Sequence, residues 1–153
     1  ICDRAGALLE ARGERARATP ATHNYDPEAL VSDWSHRHVA YIAGLGTFGV
    51  NNLLITERGC CGRLGSLVSS AELEPDPRPD GERCLYKRGG SCGRCAARCV
   101  NEALFTDRFE RRRCQEMLAE NERVHAALDG ADVCGKCAVG LPCSHAAPRA
   151  KRR

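Results

Sequence analysis

The sequence predicts an α+β protein in two parts: a mixed segment of helices and short strands, then a mostly helical, cysteine-rich module. Short apolar runs at 52–56 and 65–70 follow helical patterns in the first half, and eight of the eleven cysteines lie from Cys84 onward. Aromatic residues make up only 5% of the 153 residues. Because such a core is lean, we expect the cysteines to help hold the fold.

The first half contains two predicted helices and two predicted strands. Residues 2–17 form a moderately amphipathic pattern that predicts a helix. After a proline-containing break, Ser32 or Asp33 is the predicted N-cap of a second helix. This helix runs to a glycine-containing loop that begins at Gly44. Residues 52–56 and 65–70 read as short strands joined in a hairpin or paired unit.

A proline-rich stretch marks the predicted domain boundary, since residues 72–83 hold three prolines in twelve positions. The second half carries a charged helical pattern near 106–128. The predicted organisation is a mixed segment over 1–72, a linker over 73–83, a cysteine module over 84–146 and a basic tail over 147–153.

The glycine loop contains Gly44, Gly46 and Gly49, which spell G-x-G-x-x-G. A dinucleotide-binding loop needs a strand before it, a helix after it and an acidic residue about 20 positions on. Here the predicted helix comes first and the strand second, so nucleotide binding is disfavoured. Contact with another cofactor and a purely structural turn remain as alternatives.

The cysteines carry the strongest chemical signal. Cys92-x-x-Cys95 and Cys134-x-x-Cys137 each let two thiolates converge on one metal centre. A zinc ribbon usually separates such pairs by about 15–20 residues, whereas 38 residues lie between Cys95 and Cys134. Eight thiolates match two four-cysteine 4Fe-4S clusters. One cluster plus zinc, or zinc or reactive thiols alone, are the alternatives.

The first motif resembles a bacterial ferredoxin run, C-x2-C-x2-C-x3-C-P. Cys92, Cys95 and Cys99 reproduce its last three cysteines, and Gly89 stands where the first is expected. We expect Cys84 to loop back across the flexible 85–90 stretch and replace it. Thiolates are soft ligands suited to iron–sulfur clusters or zinc. The cations beside the ligands would offset cluster charge; they are Arg94, Arg98 and Lys136.

Other polar residues are weaker candidates. Asp33 is a candidate general acid or a helix cap, and His36 a candidate proton donor or a surface residue. Cys60 and Cys61 are adjacent, which suits packing better than chelation of one metal. The basic runs 108–114 and 148–153 suit phosphate, although neither carries interleaved aromatics that stack bases and solvated arginines are the commoner case.

The segment 43–55, A-G-L-G-T-F-G-V-N-N-L-L-I, together with the downstream cysteine order, resembles epoxyqueuosine reductases and the related reductive dehalogenases. The resemblance spans about residues 34–145. It implies a partial nitroreductase-like α/β segment that contacts cobalamin, followed by a bacterial-ferredoxin-like module with two 4Fe-4S clusters. The implied cofactor-binding residues are Gly44, Gly46, Gly49 and Asn51.

By the same resemblance, each cluster has four cysteine ligands. The first set is Cys84, Cys92, Cys95 and Cys143, and the second set is Cys99, Cys114, Cys134 and Cys137. Family members carry an Asp-x-x-Pro-x-x-Glu element before the loop, and the corresponding positions here hold Leu30, Asp33 and His36. The substrate is therefore left open.

The expected function is an iron–sulfur oxidoreductase that relays single electrons to a corrinoid. The alternatives are a non-enzymatic, ferredoxin-type electron carrier or subunit, and a zinc-stabilised interaction module. The expected partners are an electron-donor protein and a corrinoid or cobalamin-domain protein, with tRNA as the weaker hypothesis. No apolar run approaches the roughly 20 residues of a membrane span, and no signal-peptide pattern opens the chain at Ile1, so the expected compartment is the cytoplasm.

Overall fold

The computed structural model describes residues 1–20, 25–131 and 133–149 and is an α+β structure of helices and short antiparallel strand pairs. It contains two compact units. One comprises residues 1–45 and 62–79, and the other comprises residues 46–61 together with the chain from residue 80 onward. The predicted linker 73–83 is thus divided between the units, and the segment 46–61 folds with the cysteine module.

The regular elements of the first unit are two helices and four strands. They are α1 Cys2–Glu10, β1 Ala16–Ala18, β2 Tyr25–Asp26, β3 Val31–Ser32, α2 His36–Ile42 and β6 Leu67–Ser69. Strand β1 pairs antiparallel with β6, with Arg17 opposite Val68, and β2 pairs with β3. Helix α1 packs against the β1–β6 pair, where the buried Gly6 faces the Leu67 side chain.

The first helix is shorter than predicted. Residues 2–17 were expected to be helical, but α1 ends at Glu10 and residues 16–18 form β1. Gly13 adopts a left-handed backbone with φ of 85°, a conformation that ends a helix. Pairing with β6 then overrides the local helical pattern, because strand pairing is set by distant residues.

The second helix begins at Ser35 and not at the predicted caps. The Ser35 hydroxyl accepts a hydrogen bond from His38 N, whereas Ser32 lies in β3 and Asp33 is exposed. At the other end, Gly44 N donates to Tyr41 O and Leu45 N donates to Ala40 O. This is a Schellman ending, which requires the left-handed φ of 79° that Gly44 supplies.

The second unit contains a β-hairpin and helices α3 and α4. The strands are β4 Gly46–Phe48 and β5 Leu54–Thr56, and the helices are α3 Arg94–Ala97, α4 Arg111–Val124 and a 3-10 turn at Ala126–Leu128. The rest of the predicted mostly helical module is turns and irregular chain. Strand β4 was not predicted. The two predicted strands, β5 and β6, do not pair with each other: β5 pairs with β4, and β6 pairs with β1. The helix-before-strand order around the glycine loop is confirmed.

The core of the second unit is small and contains sulfur. Ile55 is fully buried and packs with Cys60 and Cys84, and the partly buried Val50, Leu53 and Cys143 pack against this group. Segment 59–61 is hydrogen-bonded to the end of the module, with Cys60 N donating to Cys143 O at 2.8 Å. Among the described residues, no helix is both long enough and apolar enough to cross a membrane.

Candidate metal centres

Four cysteines from separate parts of the second unit line one cavity. We call it the first cysteine cavity; it is partly open to solvent. Its sulfur-bearing residues are Cys84, Cys92, Cys95 and Cys143, the whole first set that the sequence resemblance implies. Apolar side chains including Val50 and Leu141 form much of the wall, and Arg94 also lines it. The cavity therefore combines four soft ligands with one cation.

A tight turn brings Cys84 to the C-x-x-C pair. Arg88 N donates to Cys84 O at 3.1 Å and Gly90 N donates to Leu85 O at 2.9 Å, while Gly89 takes a left-handed φ of 82°. Gly89 occupies the position where the ferredoxin pattern has a cysteine. The turn it permits returns the chain, so that Cys84 lines the same cavity as Cys92.

The short helix α3 carries Cys95 and directs the chain from Cys92 towards Cys99. Burial raises the pKa of the Cys95 thiol, and the neighbouring charges of Cys84 and Cys92 raise it further against the lowering effect of the Ala96 N–H. Mutual electrostatic effects of this kind require proximity. The thiols of Cys84 and Cys92 therefore lie near Cys95.

The second set is also grouped, around α4. Burial raises the pKa of Cys114, with added contributions from the charges of Cys99 and Cys134. Burial likewise raises the pKa of Cys137 to about 11, and the charges of Cys114, Cys134 and Cys95 contribute. Cys99, Cys134 and Cys137 thus lie around Cys114, and Cys137 also lies near Cys95 of the first set.

The C-terminal cysteines lie on a compact turn that a buried serine holds. Ser144 is 1% exposed, its hydroxyl donates to Ala138 O at 2.5 Å, and it accepts from Leu141 N at 2.8 Å. Arg98 adds a hydrogen bond from Nη1 to Gly140 O at 3.3 Å. Ser144 stands where a ferredoxin run has proline, and here its side chain fixes the turn that presents Cys143.

No group of three or more His, Cys, Asp or Glu side chains within 1–20, 25–131 and 133–149 is arranged to hold a single metal ion. A tetrahedral zinc site requires all its sulfurs about 2.3 Å from one ion. The first set lines one cavity, whereas the second set is grouped by the electrostatic effects on Cys114 and Cys137. The ligands of a polynuclear cluster attach to different iron atoms.

The glycines of the loop are required by the backbone itself. A side-chain carbon on Gly46 would overlap the carbonyl of Ile55 across the β4–β5 hairpin, and one on Gly49 would overlap the Asn51 amide. Gly44 ends α2, as described above. These contacts explain all three glycines of G-x-G-x-x-G without a ligand.

Asn51 connects the loop to the cysteine module. Its side chain is buried, with 6% exposure, and Nδ2 donates to Cys137 O at 2.8 Å and to Cys60 Sγ at 3.7 Å. Its Oδ1 accepts from Leu53 N at 3.3 Å. The residue assigned to cofactor contact by resemblance therefore has protein partners for both ends of its amide.

The two catalytic candidates lie in the first unit. Asp33 is exposed. His36 opens α2, and its Nδ1 lies 2.7 Å from Ser66 Oγ while its Nε2 lies 3.3 Å from Pro20 O. Both ring nitrogens of His36 thus have partners within the unit, which is the arrangement of a structural histidine.

The adjacent cysteines Cys60 and Cys61 make different contacts, and Cys60 is packed in the core. Cys60 is 6% exposed, and its Sγ lies 3.9 Å from Cys143 Sγ. Their hydrogen bond is the largest cause that lowers the pKa of Cys60 to about 6 and raises that of Cys143, so the pair tends to share one proton. Cys61 donates to Ala138 O at 3.1 Å. Local sequence spacing could not predict this contact, because Cys143 lies 83 positions from Cys60.

The basic runs are partly neutralised. In 108–114, Arg108 pairs with Glu110 at 3.2 Å and Arg113 pairs with Glu102 at 3.3 Å. Such exposed pairs are weak and contribute little to stability. The end of the predicted tail, residues 150–153, lies outside the described residues.

A comparison of the chain with protein-family models, with curated proteins and with solved structures finds no match.

Replacing Asn51 with alanine tests whether it holds the cysteine module. Because the partly buried Cys137 carbonyl would lose its 2.8 Å donor, we expect Asn51→Ala to lower the free energy of unfolding by about 1–3 kcal/mol. Denaturant unfolding measures this.

Asn121→Ala is the matched control, since Asn121 Nδ2 donates to Val133 O at 2.7 Å on the exposed face of α4. Water replaces that bond and alanine favours a helix, so its loss should stay below about 1 kcal/mol. Equal losses in the two variants would contradict the assigned role of Asn51.

Proposed function

We propose that this chain is an iron–sulfur redox protein that binds two 4Fe-4S clusters and relays single electrons to a corrinoid-type acceptor. The observation that carries the proposal is the first cysteine cavity, which collects all four cysteines of the first set from positions up to 59 residues apart. Supporting it, the charges of Cys99 and Cys134 contribute to the raised pKa of Cys114, and those of Cys114 and Cys134 to the raised pKa of Cys137.

The donor set fits iron–sulfur clusters in kind and in number. Each set supplies four thiolates, the ligand count of a 4Fe-4S cluster, and thiolates are soft donors. The count of eight thiolates exceeds the four that one tetrahedral zinc ion takes. When bound, such clusters supply one-electron redox chemistry at potentials set by charge, hydrogen bonding and solvent exposure.

The chain's own residues hold and tune these sites. Arg94 lines the first cysteine cavity, and a cation there offsets the negative charge of thiolate ligands. Arg98 binds the turn that carries Cys137. The neighbouring influence of Cys95 on Cys137 indicates that the two sets are close, as electron exchange between two centres requires.

The corrinoid-type acceptor is proposed from the resemblance of segment 43–55 to epoxyqueuosine reductases and reductive dehalogenases. The finer fold proposals rest on it too: a partial nitroreductase-like segment and a bacterial-ferredoxin-like module. The glycines of the loop are accounted for by backbone contacts, so this part of the proposal depends on direct binding experiments.

Metal content tests the cluster proposal. Protein purified without oxygen and reconstituted with iron and sulfide should hold about eight iron and eight sulfide per chain. Cys92→Ala and Cys134→Ala should each lose about half, because each removes a ligand from one set. Cys2→Ala is the control and should lose none, since Cys2 belongs to the other unit. Stoichiometric zinc without sulfide would overturn the proposal.

Corrinoid binding tests the acceptor. Cob(II)alamin added to the reduced, reconstituted protein should be retained on ultrafiltration, with a changed electron paramagnetic resonance spectrum. Retention by reconstituted protein but not by serum albumin at equal concentration would support a corrinoid site. If the protein holds its clusters but retains no cob(II)alamin, the corrinoid acceptor is contradicted, whereas the proposed electron relay is not.

A further inference from the structure

Cys60 does not line the first cysteine cavity, but it packs against residues that do. It belongs to the buried core with Ile55 and Cys84, while Cys143 packs against that core and faces the cavity. The two sulfurs are 3.9 Å apart. Cys60 therefore touches a proposed ligand without being placed as a ligand itself.

The backbone fixes this contact. Cys60 N donates to Cys143 O at 2.8 Å and Cys61 N donates to Ser144 O at 3.1 Å. Gly59 allows the approach, because a side-chain carbon there would overlap the Ser144 carbonyl. The position of the Cys60 thiol relative to Cys143 thus depends on main-chain hydrogen bonds and not on a mobile side chain.

Hydrogen bonds also orient the Cys60 thiol. Asn51 Nδ2 donates to Cys60 Sγ at 3.7 Å, which occupies the sulfur as an acceptor. The thiol proton then has two acceptors, Cys143 Sγ and Ala138 O, both at 3.9 Å. A metal-bound cysteine is a thiolate, and hydrogen bonds to charged acceptors are the stronger ones. Ligation leaves Cys143 without a proton, so the hydrogen bond between the two sulfurs, 3.9 Å apart, can then run only from the Cys60 thiol to Cys143 Sγ.

We propose that Cys60 is a positioning residue that donates a hydrogen bond to the Cys143 ligand sulfur and raises the reduction potential of the cluster in the first cysteine cavity. Reduction adds an electron to a negatively charged site, and a donor to a ligand sulfur stabilises that added charge. The inference rests on the proposed two-cluster function.

Redox titration of the reconstituted protein, followed by electron paramagnetic resonance, tests the inference. Cys60→Ala and Cys60→Val both remove the hydrogen-bond donor. The alanine leaves empty space and the valine fills it, so a change in packing alone would not shift the potential in the same way in both variants. We expect each to shift one of the two couples to a more negative potential while iron content stays at the wild-type value. Cys60→Ser keeps a donor and should stay closer to the wild-type potential.

Cys2→Ala is the control, because Cys2 belongs to the other unit; both couples should be unchanged. Unshifted couples in Cys60→Ala and Cys60→Val would overturn the inference while leaving the two-cluster function intact. Loss of about four irons in Cys60→Ala, with none lost in Cys143→Ala, would overturn it by making Cys60 the ligand. Wild-type protein that holds no cluster would overturn both proposals.

Discussion

The cysteine module depends on the hydrogen bonds between segment 59–61 and residues 143–144. Through them, a hairpin from the middle of the chain holds the last cysteine of the module against Cys60. Burying a backbone group without a partner is costly, so these bonds specify one arrangement of two distant segments. The first cysteine cavity forms only because this pairing places Cys143 opposite the Cys84–Cys95 stretch.

Sulfur replaces much of the apolar packing in this unit. Its fully buried core is small, and two of the three residues in the central group are cysteines. Buried thiols pack as small hydrophobes, but their chemistry sets their role. Here burial raises the pKa of Cys137 to about 11 and also that of Cys114, so each thiol must give up a proton on binding metal, and metal affinity is expected to fall as pH falls. The proposed metal binding would therefore be coupled to the folding of this unit.

Local sequence patterns predicted part of this structure. The helix before the glycine loop, strand 54–56 and the grouping of Cys84 with the first C-x-x-C pair all follow from nearby residues. The pairing of β1 with β6 does not, because it joins positions about 50 residues apart and competes with a helical pattern. The partners of Asn51 and Cys60 are more distant still. Periodicity and spacing hold no information on such distant contacts. The motifs G-x-G-x-x-G and C-x-x-C can be recognised because their residues lie within a few positions of one another.

The central claim is that eight cysteines form two sets of four, each around one iron–sulfur cluster. Anomalous diffraction at the iron absorption edge, from crystals grown without oxygen, tests it most directly. The account predicts two separate iron peaks per chain, one in contact with Cys84, Cys92, Cys95 and Cys143 and the other with Cys99, Cys114, Cys134 and Cys137. A peak at either set that appears at the zinc edge and is absent at the iron edge, or iron bound through a different grouping of cysteines, would contradict it.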